Sequence, residues 1–247
     1  VLERVIAKAL EESRIETEQI IGIGIAAPGV VDTVTGQVLE YERIEGLGGY
    51  SIGSYFEGIF GVPVFVHNNA SVIASSAYHY GPAQKENSLL AVLVRSGVGG
   101  ALVNHGTIFL NCTATALEVG RMRAYPDRND TVEQIVSEPA ILTVLRDHYG
   151  VADWNEAQAR LGLDEIVPVL EENRRVFSTA VRNLHHLFHP EAILLTSRFP
   201  LLTEFLTTTA HERLPHQRFI PLVYDPVQAC YGATDMVFQR FFSTIPK

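Results

Sequence analysis

SLLAVLVRSGVGGALVNHGTIFL, residues 88–110, is an apolar run broken twice by turn residues. Gly97, Gly99 and Gly100 mark the first break, and Asn104 to Gly106 the second. Apolar runs of strand length separated by Gly and Asn predict three strands in a hairpin meander. The glycine-rich motif RSGVGG (95–100) therefore lies between two strands. A Rossmann fingerprint and a P-loop each need a helix N-terminus directly after the glycines, so this placement excludes both. A glycine-rich hairpin can still cradle phosphate through successive N–H groups, with Arg95 reinforcing it or simply solvated.

Outward from the meander, apolar runs alternate with helical periods. Upstream, IIGIGIAAPG (20–29) and GVPVFV (61–66) read as strands, and Ile52–Phe60 and Ser71–Tyr80 as helices. Val1–Ser13 has Leu2, Val5, Ile6, Ala9 and Leu10 on one face, an amphipathic helix rather than a signal peptide. Downstream, the chain is mostly helical from Asp130. A long segment, Asp164 to Phe188, is interrupted by Pro168 and halted by Pro190. EAILLTS (191–197) and FIPLVY (219–224) are strands, Leu201–Leu214 a helix, and Ala229–Phe242 a closing helix. This order indicates α/β layers. The first strand already ends in a functional-looking turn, yet one helix alone precedes it, which suggests a chain that begins partway through a domain.

With 19 Lys and Arg against 28 Asp and Glu, the 247 residues carry a formal charge of −9. Phosphate contacts need basic clusters, so this balance argues against the chain gripping nucleic acid by itself. No apolar run approaches bilayer length. Cys112 and Cys230, in unrelated contexts, suggest no disulfide framework and a reducing, cytoplasmic setting; both read as buried small apolar residues.

Five segments invite a chemical reading. GIGIAAPGVVD (22–32) ends its strand in Pro28–Gly29, at the kind of crevice where open α/β sheets bind ligands; a plain turn reads equally well. VFVHNNAS (64–71) closes a strand with His67, Asn68 and Asn69. A side-chain amide offers donors and an acceptor in one plane, which suits adjacent sugar hydroxyls, and Asn is also a good helix cap. An amide cannot take a proton from a hydroxyl. ALEVGRM (116–122) sets Glu118 and Arg121 three apart, as a hydroxyl acceptor beside glycine or an exposed salt bridge. In TVEQIVSEPAIL (131–142), Asp130 or Thr131 caps a helix whose first turn holds Glu133, a position the helix dipole alone explains. His185 and His189 stand at metal-pair spacing, but no third ligand is nearby and solvated or capping roles fit better.

Taken together, GIGIAAPGVVD, PVFVHNNAS, SGVGGALVNHG, ALEVGRM, TVEQIVS, HPEAILLTS and YGATDMV resemble, in order and spacing, the ROK family. These are bacterial sugar kinases and sugar-responsive repressors of the actin-like ATPase (ribonuclease H-like) fold, and the likeness runs from about residue 20 almost to the end. It implies two lobes. Residues 1–66 would be the remainder of an N-terminal lobe lacking its first strands, and 67–228 a C-terminal lobe with the sugar site and helical tail. A closing helix, about 229–247, would pack back on the first lobe.

The departures carry as much as the matches. Where the family has Asn-Asp, with the Asp as general base toward the sugar, this chain has Asn68–Asn69. The DxGxT phosphate loop is missing from it. Position 121 is Arg rather than a zinc-binding His, and 125–132 contains no Cys, so the resemblance implies no metal and no cofactor. Thr196–Ser197 replaces the nucleotide-side glycine pair, leaving Ser96, Gly97, Gly99 and Gly100 as a vestigial phosphate loop. What survives is a sugar site of Asn68, Asn69, Glu118, Arg121, Glu133 and Gly29. The resemblance implies a non-catalytic, sugar-binding effector and dimerisation domain of a transcriptional regulator. Its partners would be a sugar or sugar derivative and a second copy of itself, or more; DNA would be met only through a segment outside this chain, and no membrane. The alternatives are an ATP-dependent hexose or N-acetyl-amino sugar kinase with Glu118 as an atypical base, or an oligomerisation module without ligand.

Overall fold

In the computed structural model, which describes residues 2–242, helix α1 (Leu2–Ser13) and a short 3-10 turn lead into strand β1 (Ile23–Ala27). A hairpin follows, β2 (Val30–Asp32) and β3 (Gln37–Glu40), then helix α2 (Ile52–Phe60) and strand β4 (Val64–Asn68). β1 and β4 pair in parallel, with Ala27 beside Asn68. Ala27, Val31, Val38, Ile52, Phe56, Val64 and Val66 form one core, against which Ile6 of α1 packs. The apolar face read for α1 is narrower in the fold: Ile6 and Leu10 are half-buried, whereas Val5 and Ala9 are exposed. The β2–β3 hairpin falls in a stretch, 30–40, for which the sequence predicts no element. Strands this short show too few alternations to register a period.

Helix α3 (Asn69–His79) leads into the meander, observed as β5 (Ser88–Val94), β6 (Val98–Asn104) and β7 (Thr107–Ile108). Next come α4 (Val132–Val136), α5 (Glu138–Tyr149), α6 (Trp154–Arg160), α7 (Leu163–Val169) and α8 (Glu171–Phe188). Strand β8 (Ala192–Ser197), helix α9 (Pro200–Arg213), strand β9 (Arg218–Val223) and helix α10 (Pro226–Phe242) complete the described residues. Five strands form one sheet in the order β7-β6-β5-β8-β9. The β5–β6 pair is antiparallel, and β5–β8 and β8–β9 are parallel. The two central strands are buried on both faces, which is why they read as continuous apolar runs. Leu90, Val92, Ile193 and Leu195 face the helical tail, meeting Phe177 and Phe205. Leu89, Ala91, Leu93 and Leu194 face the other way, onto Ile73, Ala74 and Ala77 of α3. No helix among the described residues is long and apolar enough to cross a membrane.

Two expectations need correction. The segment 164–188 divides at Leu170, two residues past Pro168, which sits inside α7. Cys112 and Cys230 are both exposed rather than buried. Cys112 lies in a polar turn where Asn111 Oδ1 accepts from the Thr113 N–H at 2.9 Å, and Cys230 lies on a solvent-facing side of α10.

Helix α10 returns to the beginning of the chain and touches it backbone to backbone. A Cβ on Gly232 would sit 1.9 Å from the Val72 carbonyl oxygen of α3, and one on Gly24 would sit 2.2 Å from that of Ala233. Beside this crossing the buried Asp235 carboxylate accepts from Ser75 Oγ at 2.6 Å, Tyr80 OH at 3.0 Å and Gln239 Nε2 at 2.6 Å. A buried carboxylate supplied with three donors fixes the register of the two helices, because sliding either one would strand the charge. Residues 243–247, the end of the closing helix expected from the sequence, lie outside the described residues.

On the other face of β4 from Val64 and Val66 lie Phe65, edge-on to Phe241 at 5.9 Å, and His67. The His67 Nδ1 is buried without a partner, and burial pushes the imidazole from 6.5 down to about 4.

Gly232→Ala should cost about 2 kcal/mol or more in urea unfolding, because the crossing has no room for a methyl group. Gly58→Ala, in α2 with nothing near its Cβ, should gain about 0.5–1 kcal/mol. Equal effects would contradict the close crossing. His67 supplies a pH dependence. The unfolded chain takes up its proton near pH 6.5 while the folded chain stays neutral, so stability present above 6.5 is lost as pH falls toward 4. Unfolding midpoints at pH 7.5 and 5 should show His67→Gln losing less than the wild type, by a margin of about 2 kcal/mol. Parallel acid limbs would exclude His67 as their source.

Candidate functional site

The C-terminal ends of β1 and β4 lie side by side, the kind of edge at which open α/β sheets bind ligands. Gly29, with φ +80°, turns the chain away from β1; a Cβ there would sit 2.2 Å from the Glu40 carbonyl oxygen. Across from it, Asn68 caps α3: its Oδ1 accepts from the Ser71 N–H at 2.8 Å. The capping reading and the binding reading of this amide are compatible, since its Nδ2 donors make no hydrogen bond among the described residues. Asn69, the first residue of α3, is half-buried and its side chain is likewise unengaged. Ala70 follows, 3.1 Å from where a Cβ on Gly99 would be, so the start of α3 meets the start of β6.

The opposite wall is built on the glycine hairpin. An isolated bridge between Gly100 and Leu117 lays the 116–122 segment along β6, and another between Arg123 and Thr131 returns the chain to α4. Thr131 is the N-cap of α4, in a reciprocal capping box with Gln134. The first turn of α4 presents Glu133 to the hairpin, where its Oε2 accepts from the Val98 N–H at 3.0 Å. A Cβ on Gly97 would lie 2.4 Å from that oxygen, and one on Gly100 would lie 2.2 Å from Val119 Cγ2. These glycines make room for Glu133 and Val119, and the Val98 donor that a phosphate cradle would use is held by a carboxylate. Ser96 is exposed at the hairpin tip.

Two ion pairs cross from the β1–β4 layer to this wall. Arg121 Nη2 donates to Glu40 Oε2 at 2.6 Å while its Nε lies 3.3 Å from Glu118. Arg43 Nη2 donates to the free Oε1 of Glu133 at 3.2 Å. Burial raises the Glu118 carboxyl above its ordinary value; Arg121 opposes this, and Glu40 and Glu133 add to it. The hydrogen bond to Glu40 in turn raises Arg121. The members of both crossing pairs are 39–60% exposed, so each pair contributes at most about 1 kcal/mol. A third link is the Ala114 carbonyl, which accepts from both Thr33 N–H and Thr33 Oγ1. The cluster thus joins Glu118, Arg121 and Glu133 and reaches Gly29 through Glu40, while Asn68 and Asn69 stand at the start of α3, whose Ala70 meets Gly99 of the same hairpin.

Glu40 and Arg43 escaped the sequence reading. In EYERIEG (40–46) a loop of alternating charge carries no period, and it looks the same whether solvated or paired across a cleft. On the side expected to face a nucleotide, Thr196 and Ser197 do not present their side chains to a cleft. Both are fully buried, with Ser197 Oγ 2.8 Å from Thr203 Oγ1. Their neighbour Arg198 instead binds the buried Glu138 carboxylate through its backbone N–H at 3.1 Å and its Nε at 2.8 Å. Arg95 stacks 4.2 Å above the Tyr224 ring. The rings of His185, His186 and His189 neighbour one another, but no group of three His, Cys, Asp or Glu among the described residues can hold a metal ion.

The chain is 23% identical to a xylose repressor of Caldicellulosiruptor bescii over 89% of its own length and 61% of that protein's. It is 26% identical to a glucokinase of Halalkalibacterium halodurans over 59% of its length and 46% of that protein's. It therefore spans about half to three-fifths of these relatives. Its fold superposes on a ROK family glucokinase of Streptomyces griseus, crystallised with glucose and AMPPNP, with a TM-score of 0.79 at 21% identity, covering 96% of this chain and 87% of that one. The fold is that of the actin-like ATPases. With the ROK family profile matching residues 1–223, and repressors and sugar kinases alike among its relatives, the chain belongs to the ROK family.

Proposed function

We propose that this chain is the sugar-binding, non-catalytic effector portion of a ROK-type transcriptional regulator. The observation that carries the reading is Asn69. It stands half-buried and unengaged at the strand edge, where the resemblance to the kinases calls for a carboxylate, and an amide there can recognise a hydroxyl without deprotonating it. The Asn68 Nδ2, the Asn69 amide, and the Glu118 and Glu133 carboxylates would bond sugar hydroxyls, with Arg121 holding Glu118 in place. Such a site discriminates against deoxy analogues, because a missing hydroxyl leaves a desolvated polar group unpaired. The two crossing ion pairs are weak and lie at the same cleft. A sugar that favoured one spacing of the layers would bias them, which is how a binding event becomes a signal. On this reading the chain works as a homodimer or higher homo-oligomer in the cytoplasm, and DNA is met by other residues than these acidic ones.

A second reading, an ATP-dependent sugar kinase, draws support from Glu118: a carboxyl raised by burial is a better base near neutrality than an ordinary one.

Calorimetry against unphosphorylated hexoses and amino sugars should find a saturable ligand, and Glu118→Ala should weaken it at least about tenfold. Affinity unchanged by that substitution would remove Glu118 from the site, and no binding at all would sink the effector reading. A coupled assay for ADP release should stay at background with every sugar. Turnover above background would transfer the assignment to the kinase.

A further inference from the structure

Seven of the sixteen arginines of this acidic chain are answered by a carboxylate. Arg43, Arg121, Arg128, Arg160, Arg174, Arg198 and Arg218 each lie within ion-pair distance of a carboxylate. Three that are not gather in one place. Arg175, Ser178, Thr179, Arg182 and Arg213 line a cavity of about 140 Å³ between α8 and the C-terminal end of α9. Arg175 and Arg182 are seven residues apart on α8, two turns, so they stand on one face about 10 Å apart along the axis, within reach of each other's guanidinium ends. Arg213 enters from the neighbouring helix. None of the three has an ion pair within 4 Å or a hydrogen bond among the described residues; Arg175 lies 5.3 Å from the Tyr125 ring and near enough to the Glu172 carboxylate to help hold it below its ordinary value. The Ser178 hydroxyl donates to the Arg175 carbonyl at 3.1 Å, while that of Thr179 is uncommitted.

Three guanidiniums around one concavity, Arg182 and Arg213 with no carboxylate paired among the described residues and Arg175 with only Glu172 nearby, repel one another, and helix geometry does not account for them. Arg213 complements the α9 C-terminus, but Arg175 lies in the first half of α8 and Arg182 in its middle, where the helix dipole offers nothing. What relieves such a cluster is an anion. Guanidinium forks match the terminal oxygens of a phosphate monoester, and a dianion answers more of the charge than a carboxylate does. The cavity is large enough for a phosphoryl group with part of the molecule that carries it. We propose that this cavity is a second ligand site, for the phosphate of a small phosphorylated metabolite, separate from the cleft of Asn69, Glu118 and Glu133. Arg175 also gives it a route inward: Tyr125, on which it lies, is in the segment between Arg121 and Glu133 and is stacked from closer by Arg128 at 3.6 Å.

Calorimetry at low ionic strength with inorganic phosphate and with glucose 6-phosphate, run beside glucose, tests this on the chain as it stands. Both phosphates should bind saturably, weaken as NaCl is added, and lose at least about tenfold in affinity in the Arg182→Ala/Arg213→Ala double variant. Arg160→Ala, which breaks an ion pair elsewhere, should leave them unchanged. Both cavity side chains are exposed and unpaired, so circular dichroism should report an intact fold; the single variants Arg182→Gln and Arg213→Gln should each lose several-fold. Absence of saturable phosphate binding, or an affinity indifferent to these substitutions, would overturn the proposal. So would binding of a phosphorylated or acidic peptide where free phosphate and glucose 6-phosphate fail.

Discussion

Everything in this fold hangs on the crossing of α10 over α3 and β1. The last helix of the described chain reaches the first strand at Gly24 and helix α3 at Gly232, with backbone atoms nearly in contact, and Asp235 fixes the register beside them. Helix α3 is therefore held from both sides. Its Val72 meets α10 while Ile73, Ala74 and Ala77 pack on the five-stranded sheet. The N-terminus of that doubly held helix carries Asn68 and Asn69. A rigid element thus places the amides, and their position is a consequence of packing rather than of the loop that precedes them.

The opposite wall is held differently. Its carboxylates are oriented by a glycine hairpin and a capped helix turn; the hairpin meets α3 at Gly99 and Ala70, and partly exposed ion pairs and the Thr33 contact add links to the β1–β4 layer. A bound molecule can displace such partly exposed ion pairs without unfolding anything. Charge is arranged to match. Glu118 is raised by burial and by two neighbouring carboxylates, and Arg121 keeps the site from repelling itself apart.

Long, strongly patterned elements were legible in the sequence. The meander at 88–110, the buried strand at 192–197 and helix 52–60 all carry a clear period or punctuation, and each was found within a residue or two of its expected place. The short hairpin at 30–40 was not, since three and four residues hold no period. The order of motifs also revealed the family. Pairings across the cleft stayed hidden: nothing in the loop at 40–46 says which charges face Arg121 and Glu133, eighty to ninety residues away. Asp235 could have been suspected, as an acid among Ala233, Met236 and Val237, but its three donors come from α3, from the residue capping α3 and from its own helix. The cysteines mislead for a related reason, because residue type sets an average burial and local topology sets the actual one.

The central claim is that the cleft keeps hydroxyl recognition and has lost the base. A crystal structure of the chain grown with its best-binding sugar, ATP and magnesium addresses both halves at once. The account predicts an intact, unphosphorylated sugar whose hydroxyls lie within hydrogen-bonding distance of Asn69, Glu118 and Glu133. A phosphorylated sugar in that cleft, or a sugar bound away from these residues, would contradict it.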